Sequence, residues 1–282
     1  MIMSISQTQS AKNLINEIPL GFIVDSAWFT LRGIATKSIH HYVQQGWIER
    51  VVRGVYRRPL PARGNGNNRD LPWQTVLLSL QHLMGYNVHL GAHGALDING
   101  SSKYAEFGDS QHVHFYGHAP SWIRHLHANR KIIIHNATMF NNSPLGIIEH
   151  AEIYYSHDWA EETWQWAFNV SRPERAILEL IDMLPNKTTF EYVKHFFNWL
   201  DWIKPDLMMD LLKICRSAKV KRLFFVYMEL FRPEWMKDLN PHQIDFGKGH
   251  RSLVPNGIFD STYHVSFPKG FINPIYYDGR KV

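Results

Sequence analysis

The segment DSAWFTLRGIATKSIHHYVQQ (25–45), followed at once by GWIERVVRGVYRR (46–58), constrains the fold more than any other part of the chain. Asp25 or Ser26 can cap a helix that carries Ala27, Trp28 and Leu31 before Gly33. A second helix is expected from Thr36, as its N-cap, to Gly46, which suits the left-handed position past a helix end. Within it Ile39, Tyr42 and Val43 make one apolar stripe. The opposite face carries Lys37, His40, His41 and Gln44, with Ser38 and Gln45 at its edges. Two short alternating runs about Arg53-Gly54 then read as a β-hairpin, with Trp47, Ile48 and Val51 before the turn and Val55 and Tyr56 after it. A further helix at about 8–18, ended by Pro19, precedes all of this.

Helix, tight turn, polar-faced helix and basic hairpin is the sequence form of a winged helix-turn-helix. Charge supports it. Residues 1–70 hold nine Lys/Arg and four Asp/Glu, and the other residues hold 21 of each. The whole excess of five positive charges therefore lies in the first quarter of the chain, as contact with a polyanion would require. A helix of this kind enters the major groove with its N-terminal side chains toward base edges. Thr36, Lys37, Ser38, His40, His41, Gln44 and Gln45 are the candidate DNA-reading positions. Lys37 suits a guanine edge and Gln44 an adenine edge. Arg50, Arg53, Arg57 and Arg58 are the candidate wing contacts, to phosphates or the minor groove.

The polar stretch RGNGNNRD (63–70) reads as a linker. It divides a DNA-binding domain over 1–62 from a larger domain over 71–282, itself divisible at about 165/166. In that domain LPWQTVLLSLQHLM reads as a helix with Pro72 in its first turn, and QHVHFYG and RKIIIHNA read as strands. SRPERAILELIDMLP opens with a capping-box pattern, Ser171 and Glu174. Helical patterns continue through TTFEYVKHFFNWLDWI, PDLMMDLLKICRSA and VKRLFFVYMELF, and Asn256-Gly257 signals a terminal hairpin. The expected fold class is α+β, a winged helix-turn-helix followed by a mixed domain with a helical section and a terminal β-hairpin.

GWIERVVRGVYRRP resembles the wing of the AbiEi family of antitoxins. SRPERAILELIDMLP, LLKICRSAKVKRLFFVYME and IDFGKGHRSLVPNGIFDSTYHVSFP are similar to successive C-terminal blocks of that family. The wing motif alone is shared by many winged-helix proteins; the three blocks in order are specific, and the resemblance covers nearly the whole chain. It implies a type IV toxin–antitoxin or phage-defence protein whose winged helix binds repeats in double-stranded promoter DNA and represses its own operon. It also implies a second domain that counters a nucleotidyltransferase-type toxin without a stable complex, and no catalytic role or cofactor. Paired half-sites would be met by two protomers. Two other readings share the N-terminal features: a winged-helix regulator whose second domain senses a ligand, and a DNA-processing enzyme targeted by the winged helix.

Other clusters carry less. Eleven of the 17 histidines lie between His82 and His157. His112 and His114 would share a strand face, but a metal site would need a third ligand such as His118, and strand-surface histidines are the expectation. GAHGALDINGSS lacks the spacing of a nucleotide fingerprint. Cys215 reads as buried filler and Asp97, Glu106 and Asp109 as surface turns. Arg216, Lys219, Lys221, Arg222, Lys248, His250 and Arg251 read as a solvated face. Trp159, Trp164, Trp166, Trp199, Trp202 and Trp235 read mostly as core. No apolar run reaches the ~18–20 residues that span a bilayer, and MIMSISQTQSAK lacks the pattern of an export signal. The single cysteine, Cys215, cannot form an intrachain disulfide and says nothing against a reducing compartment, and the cytoplasm is the default expectation.

Overall fold

Two three-stranded sheets and one five-stranded sheet carry the described residues. A computed structural model describes residues 5–60, 71–98, 111–155, 164–197, 200 and 203–271. The expected linker 63–70 lies outside the described residues, as do Glu106, Asp109, Trp159, Trp199, Trp202 and the side chains of Trp164 and Trp166.

The first unit holds α1 (Ile5–Asn16), β1 (Ile23–Asp25), α2 (Ser26–Leu31), α3 (Thr36–Gln44), β2 (Glu49–Val52) and β3 (Val55–Arg57). The hairpin β2–β3 gains β1 as a third antiparallel strand, in the order β1-β3-β2. Ile18, Phe22, Val24, Trp28, Phe29, Ile39, Tyr42, Ile48 and Val55 form its core. Of the apolar residues expected to pack from α2, Ala27 and Leu31 face solvent; Trp28 and Phe29 are the buried pair. Thr36 is the first helical residue of α3 rather than its cap, and Ala35 holds the cap position without a side-chain bond.

The second unit is built on five strands, β4 (Val88–Leu90), β5 (His112–Gly117), β6 (Lys131–His135), β7 (Ile147–Tyr155) and β8 (Trp164–Ser171), in the order β6-β5-β4-β8-β7. Pairs β4–β8 and β5–β6 are parallel, and the other two are antiparallel. Leu90, Phe115, Phe168 and Val170 share one face by register, and Trp73 of α4 (Trp73–Leu78) lies edge-on or tilted against Phe115 and Phe168. The other face carries His89, His114 and Tyr116 with His135 beside them, covered by α5 (Ala92–Leu96) and α6 (Pro173–Asp182). Strand alternation thus puts His89, His114 and His135 on one covered face, not on the surface as expected for the strand histidines, whereas His118 is exposed.

That polar face is organised by Glu179 of α6, which is fully buried. It accepts from Arg175 Nε at 2.9 Å, Ser171 Oγ at 2.9 Å and the Ala92 amide at 3.1 Å, and His89 Nε2 lies at 3.2 Å. Burial alone would raise its pKa; the hydrogen bond from His89 and the charge of Arg175 outweigh it and hold the carboxyl low. Gly91 is required here: a Cβ would lie 2.3 Å from Glu179 Oε2. Ser171 and Glu174 therefore do not form a capping box. The cap position is Arg172, Ser171 turns to Glu179, and Glu174 Oε1 accepts the Lys204 amide at 2.7 Å.

Helices α7 (Phe190–Phe197), α8 (Pro205–Ile214) and α9 (Ala218–Phe231) pack with α6. Trp235 is buried with its indole N–H on Leu200 O, and Cys215 is buried, its thiol pushed up to about 11 by burial. The terminal sheet contains β9 (Arg251–Ser252), β10 (Ile258–Asp260) and β11 (Val265–Phe267) in the order β10-β11-β9. Asn256-Gly257 does not close a hairpin, because β9 pairs in parallel with β11; the hairpin is β10–β11, turning at 261–264. Nor is the basic segment before it simply a solvated face. Arg222 is buried, and its guanidinium donates to Phe246, Gly247, Gly249 and His264 carbonyls at 2.6–3.0 Å, which fixes the loop ahead of β9. Lys219 donates to Leu184 O at 2.8 Å, and Lys221 is buried. Among the described residues no helix is long and apolar enough to cross a membrane.

Candidate nucleic-acid interface

Helix α3 stands on Ile39 and Tyr42, both buried, so its outer face is set by helical spacing. Thr36, Lys37, His40, Gln44 and Gln45 are exposed on that face. Ser38 and His41 are only half exposed and belong to the packing. Ser38 hydrogen-bonds to the Tyr42 phenol, whose pKa is raised by burial despite that bond. The His41 ring lies 6.3 Å from Trp47, which stacks on Tyr42 at 5.4 Å and receives Lys12 Nζ at 5.3 Å. The seven candidate reading positions thus divide into five presented outward and two held against the domain.

The wing divides in the same way. Val52 and Val55 pair across a two-residue turn, Arg53-Gly54, with Gly54 at φ 78°. Gly54 O accepts both the Ser26 amide at 2.9 Å and Ser26 Oγ at 3.2 Å, so the turn is fastened to the start of α2. Arg50 and Arg53 are exposed. Arg57 is not presented: register places it opposite Glu49, with which it forms an ion pair, and it is buried. Arg58 donates to the Ile18 carbonyl at 2.8 Å and Asn16 Oδ1 at 3.0 Å, tying the wing to the end of α1. A four-arginine wing becomes two presented arginines and two structural ones.

The balance of charge explains the surface. The three acids of the first unit are all engaged: Glu49 with Arg57, Glu17 with Arg32 at 3.5 Å, and Asp25 in hydrogen bonds. Lys37, Arg50 and Arg53 have no carboxylate partner among the described residues. Arg32, which sequence reasoning left out of the site, stacks at 3.8 Å on Trp28 next to the turn between α2 and α3. Only its positive charge could have pointed to it.

Asp25 was expected only as a possible cap. Its Oδ1 does accept the Trp28 amide at 2.9 Å. Its Oδ2 accepts the Tyr86 hydroxyl at 3.0 Å and the Trp122 indole N–H at 3.2 Å, both from the second unit. Burial, then the Asp25 charge, push the Tyr86 phenol up to about 12. Ser79 adds a second tie: its Oγ accepts the Ile23 amide at 3.1 Å and donates to Thr75 O at 2.6 Å, where α4 passes into the π-helical turn Ser79–Leu83. β1 and the start of α2 are therefore seated on the sheet-bearing unit. Among the described residues no group of three or more His, Cys, Asp or Glu is arranged to hold a metal ion.

Residues 7–107 match the family model described as the transcriptional regulator, AbiEi antitoxin N-terminal domain. Residues 110–268 match the model for the transcriptional regulator, AbiEi antitoxin of a type IV toxin–antitoxin system. No curated protein sequence matches the chain. Among solved structures, the crystal structure of the RV2827C protein from Mycobacterium tuberculosis is similar in fold, with a TM-score of 0.54 at 10% identity over 94% of this chain and 92% of that one. With both models together spanning nearly its whole length, the chain belongs to the AbiEi family of transcriptional regulators, antitoxins of type IV toxin–antitoxin systems.

Proposed function

We propose that the protein binds repeats in double-stranded DNA at its own promoter through the outer face of α3 and the wing, and represses its operon. The observation that carries this reading is the coincidence of shape and charge. Lys37, Arg50 and Arg53 are exposed, lack carboxylate partners among the described residues, and sit on the two elements that a winged helix lays on DNA. Thr36, His40, Gln44 and Gln45 supply uncharged donors and acceptors for base edges. Arg57 and Arg58 hold the wing in place and contribute to DNA binding only through that.

Family membership supports the second half of the reading, in which the domain built on the five-stranded sheet counters a nucleotidyltransferase-type toxin, acts in the cytoplasm and catalyses no reaction. The test is a gel-shift titration of the full chain on its own upstream DNA beside scrambled DNA. The reading requires a shift at lower protein concentration on the upstream DNA, and equal shifts or none on both would refute it. Coexpression with a neighbouring nucleotidyltransferase gene product tests the toxin half, and failure to relieve growth arrest would refute that half alone.

A further inference from the structure

A concave feature lies away from α3 and the wing. The end of β6, the C-terminal end of α6 and Ser217 ahead of α9 border an open cavity of about 590 Å³ lined in part by His135, Thr138, Asp182, Lys187, Arg216 and Ser217. That volume is in the range of small-molecule sites.

Its charges do not balance. Asp182 is its one acidic lining residue, and Lys219 already pairs with it at 3.4 Å. Lys187 and Arg216 remain. Lys187 has no carboxylate partner among the described residues, and Arg216 Nη1 reaches only Asn141 Oδ1, at 3.4 Å. Both side chains are exposed, so the excess is presented to the cavity mouth rather than buried in protein.

The cavity also borders the start of a helix through Ser217. Ser217 caps α9, a 14-residue helix, by accepting the Val220 amide at 3.3 Å. The amides of Ala218 and Lys219 in that first turn have no acceptor among the described residues. In the wall, His135 Nε2 lies 2.8 Å from His114 Nδ1. Burial first, and then neighbouring positive charge including Lys187, hold both rings neutral, with His135 lowered to about 4. The lining thus carries two cations without a carboxylate partner among the described residues, against one carboxylate that Lys219 already engages.

We infer that this cavity binds a phosphoryl group, carried by a small phosphate monoester or as free phosphate, with Lys187 and Arg216 as its principal contacts. Two flexible or forked cations beside a helix N-terminus match the charge and the several acceptor oxygens of such a group. Nothing in this inference uses α3 or the wing, so it stands or falls apart from the DNA-binding reading.

Calorimetric titration of the full chain with AMP, inorganic phosphate and adenosine tests it, beside the double variant Lys187→Gln, Arg216→Gln. Saturable binding of AMP or phosphate, none of adenosine, and a loss of roughly tenfold or more in the double variant are expected, with its melting temperature unchanged. AMP binding tighter than phosphate assigns the monoester, and equal affinities assign free phosphate. In an imidazole NMR titration, bound phosphate should raise the His135 pKa, because a dianion offsets the Lys187 charge. No saturable binding in the millimolar range, or binding that survives in the double variant, would overturn the inference. The double variant should shift promoter DNA as the wild type does, so a negative gel shift would not be confused with a negative titration.

Discussion

Asp25 carries two kinds of information in one carboxylate. Oδ1 satisfies an orphan amide at the start of α2, a role readable from its place before Ser-Ala-Trp-Phe. Oδ2 joins Tyr86 and Trp122, which are 61 and 97 residues away and therefore illegible in sequence. Replacing Asp25 by Ala should cost about 0.5–2 kcal/mol for the cap alone, and more for the two donors left without their acceptor. Denaturant unfolding would register this as a lower midpoint, and Asp25→Asn should lose less. Arg57 makes the complementary point. Its charge marked it as a DNA contact, but register set it against Glu49. Arg57→Ala should lower the melting temperature, while Arg53→Ala should leave it nearly unchanged. The reverse order would contradict the assignment.

At the scale of elements, the helices were largely legible because their apolar stripes have a clear period, and the positions of β5, β6, α6, α8 and α9 follow the patterns closely. What failed were local motifs captured by distant partners. Ser171 and Glu174 have capping-box spacing, but Glu179 and the Lys204 amide take them instead. Asn256-Gly257 has hairpin chemistry, but its preceding segment pairs in parallel with β11. Sequence shows which strand histidines share a face but not which face α6 covers, so the surface expected for His114 is a covered one. His114 and His135 titrate well below their ordinary 6.5, at about 2 and about 4, mainly through burial. The unfolded chain therefore binds these protons first, so stability should fall as pH drops from 6.5 toward 4, with His114 continuing the loss below that. The double variant His114→Leu, His135→Phe should show a shallower decline across that window by thermal melts. An equal slope would mean that the rings are not held neutral.

For the molecule as a whole, the sequence pointed to two functions in two regions joined by a linker, and the described residues add the hydrogen bonds that seat one on the other. Asp25 and Ile23 reach Tyr86, Trp122 and Ser79, so removing residues 1–62 would uncover groups of the second unit. Point substitutions separate the functions more cleanly. Lys37→Ala with Gln44→Ala should relieve repression in a promoter reporter, weakening discrimination by ~1–3 kcal/mol for each base edge no longer read, and leave rescue from the toxin intact. Loss of both together would argue against a division of labour. On the proposed reading Arg50 and Arg53 meet phosphates whereas Arg57 and Arg58 build the wing. Fluorescence anisotropy of promoter DNA across a salt series tests it most directly. The Arg50→Ala, Arg53→Ala variant should bind more weakly with a slope of log K against log salt reduced by roughly 1.8, or ~0.9 for each phosphate left unneutralised. A slope identical to that of the wild type would mean that neither arginine meets a phosphate.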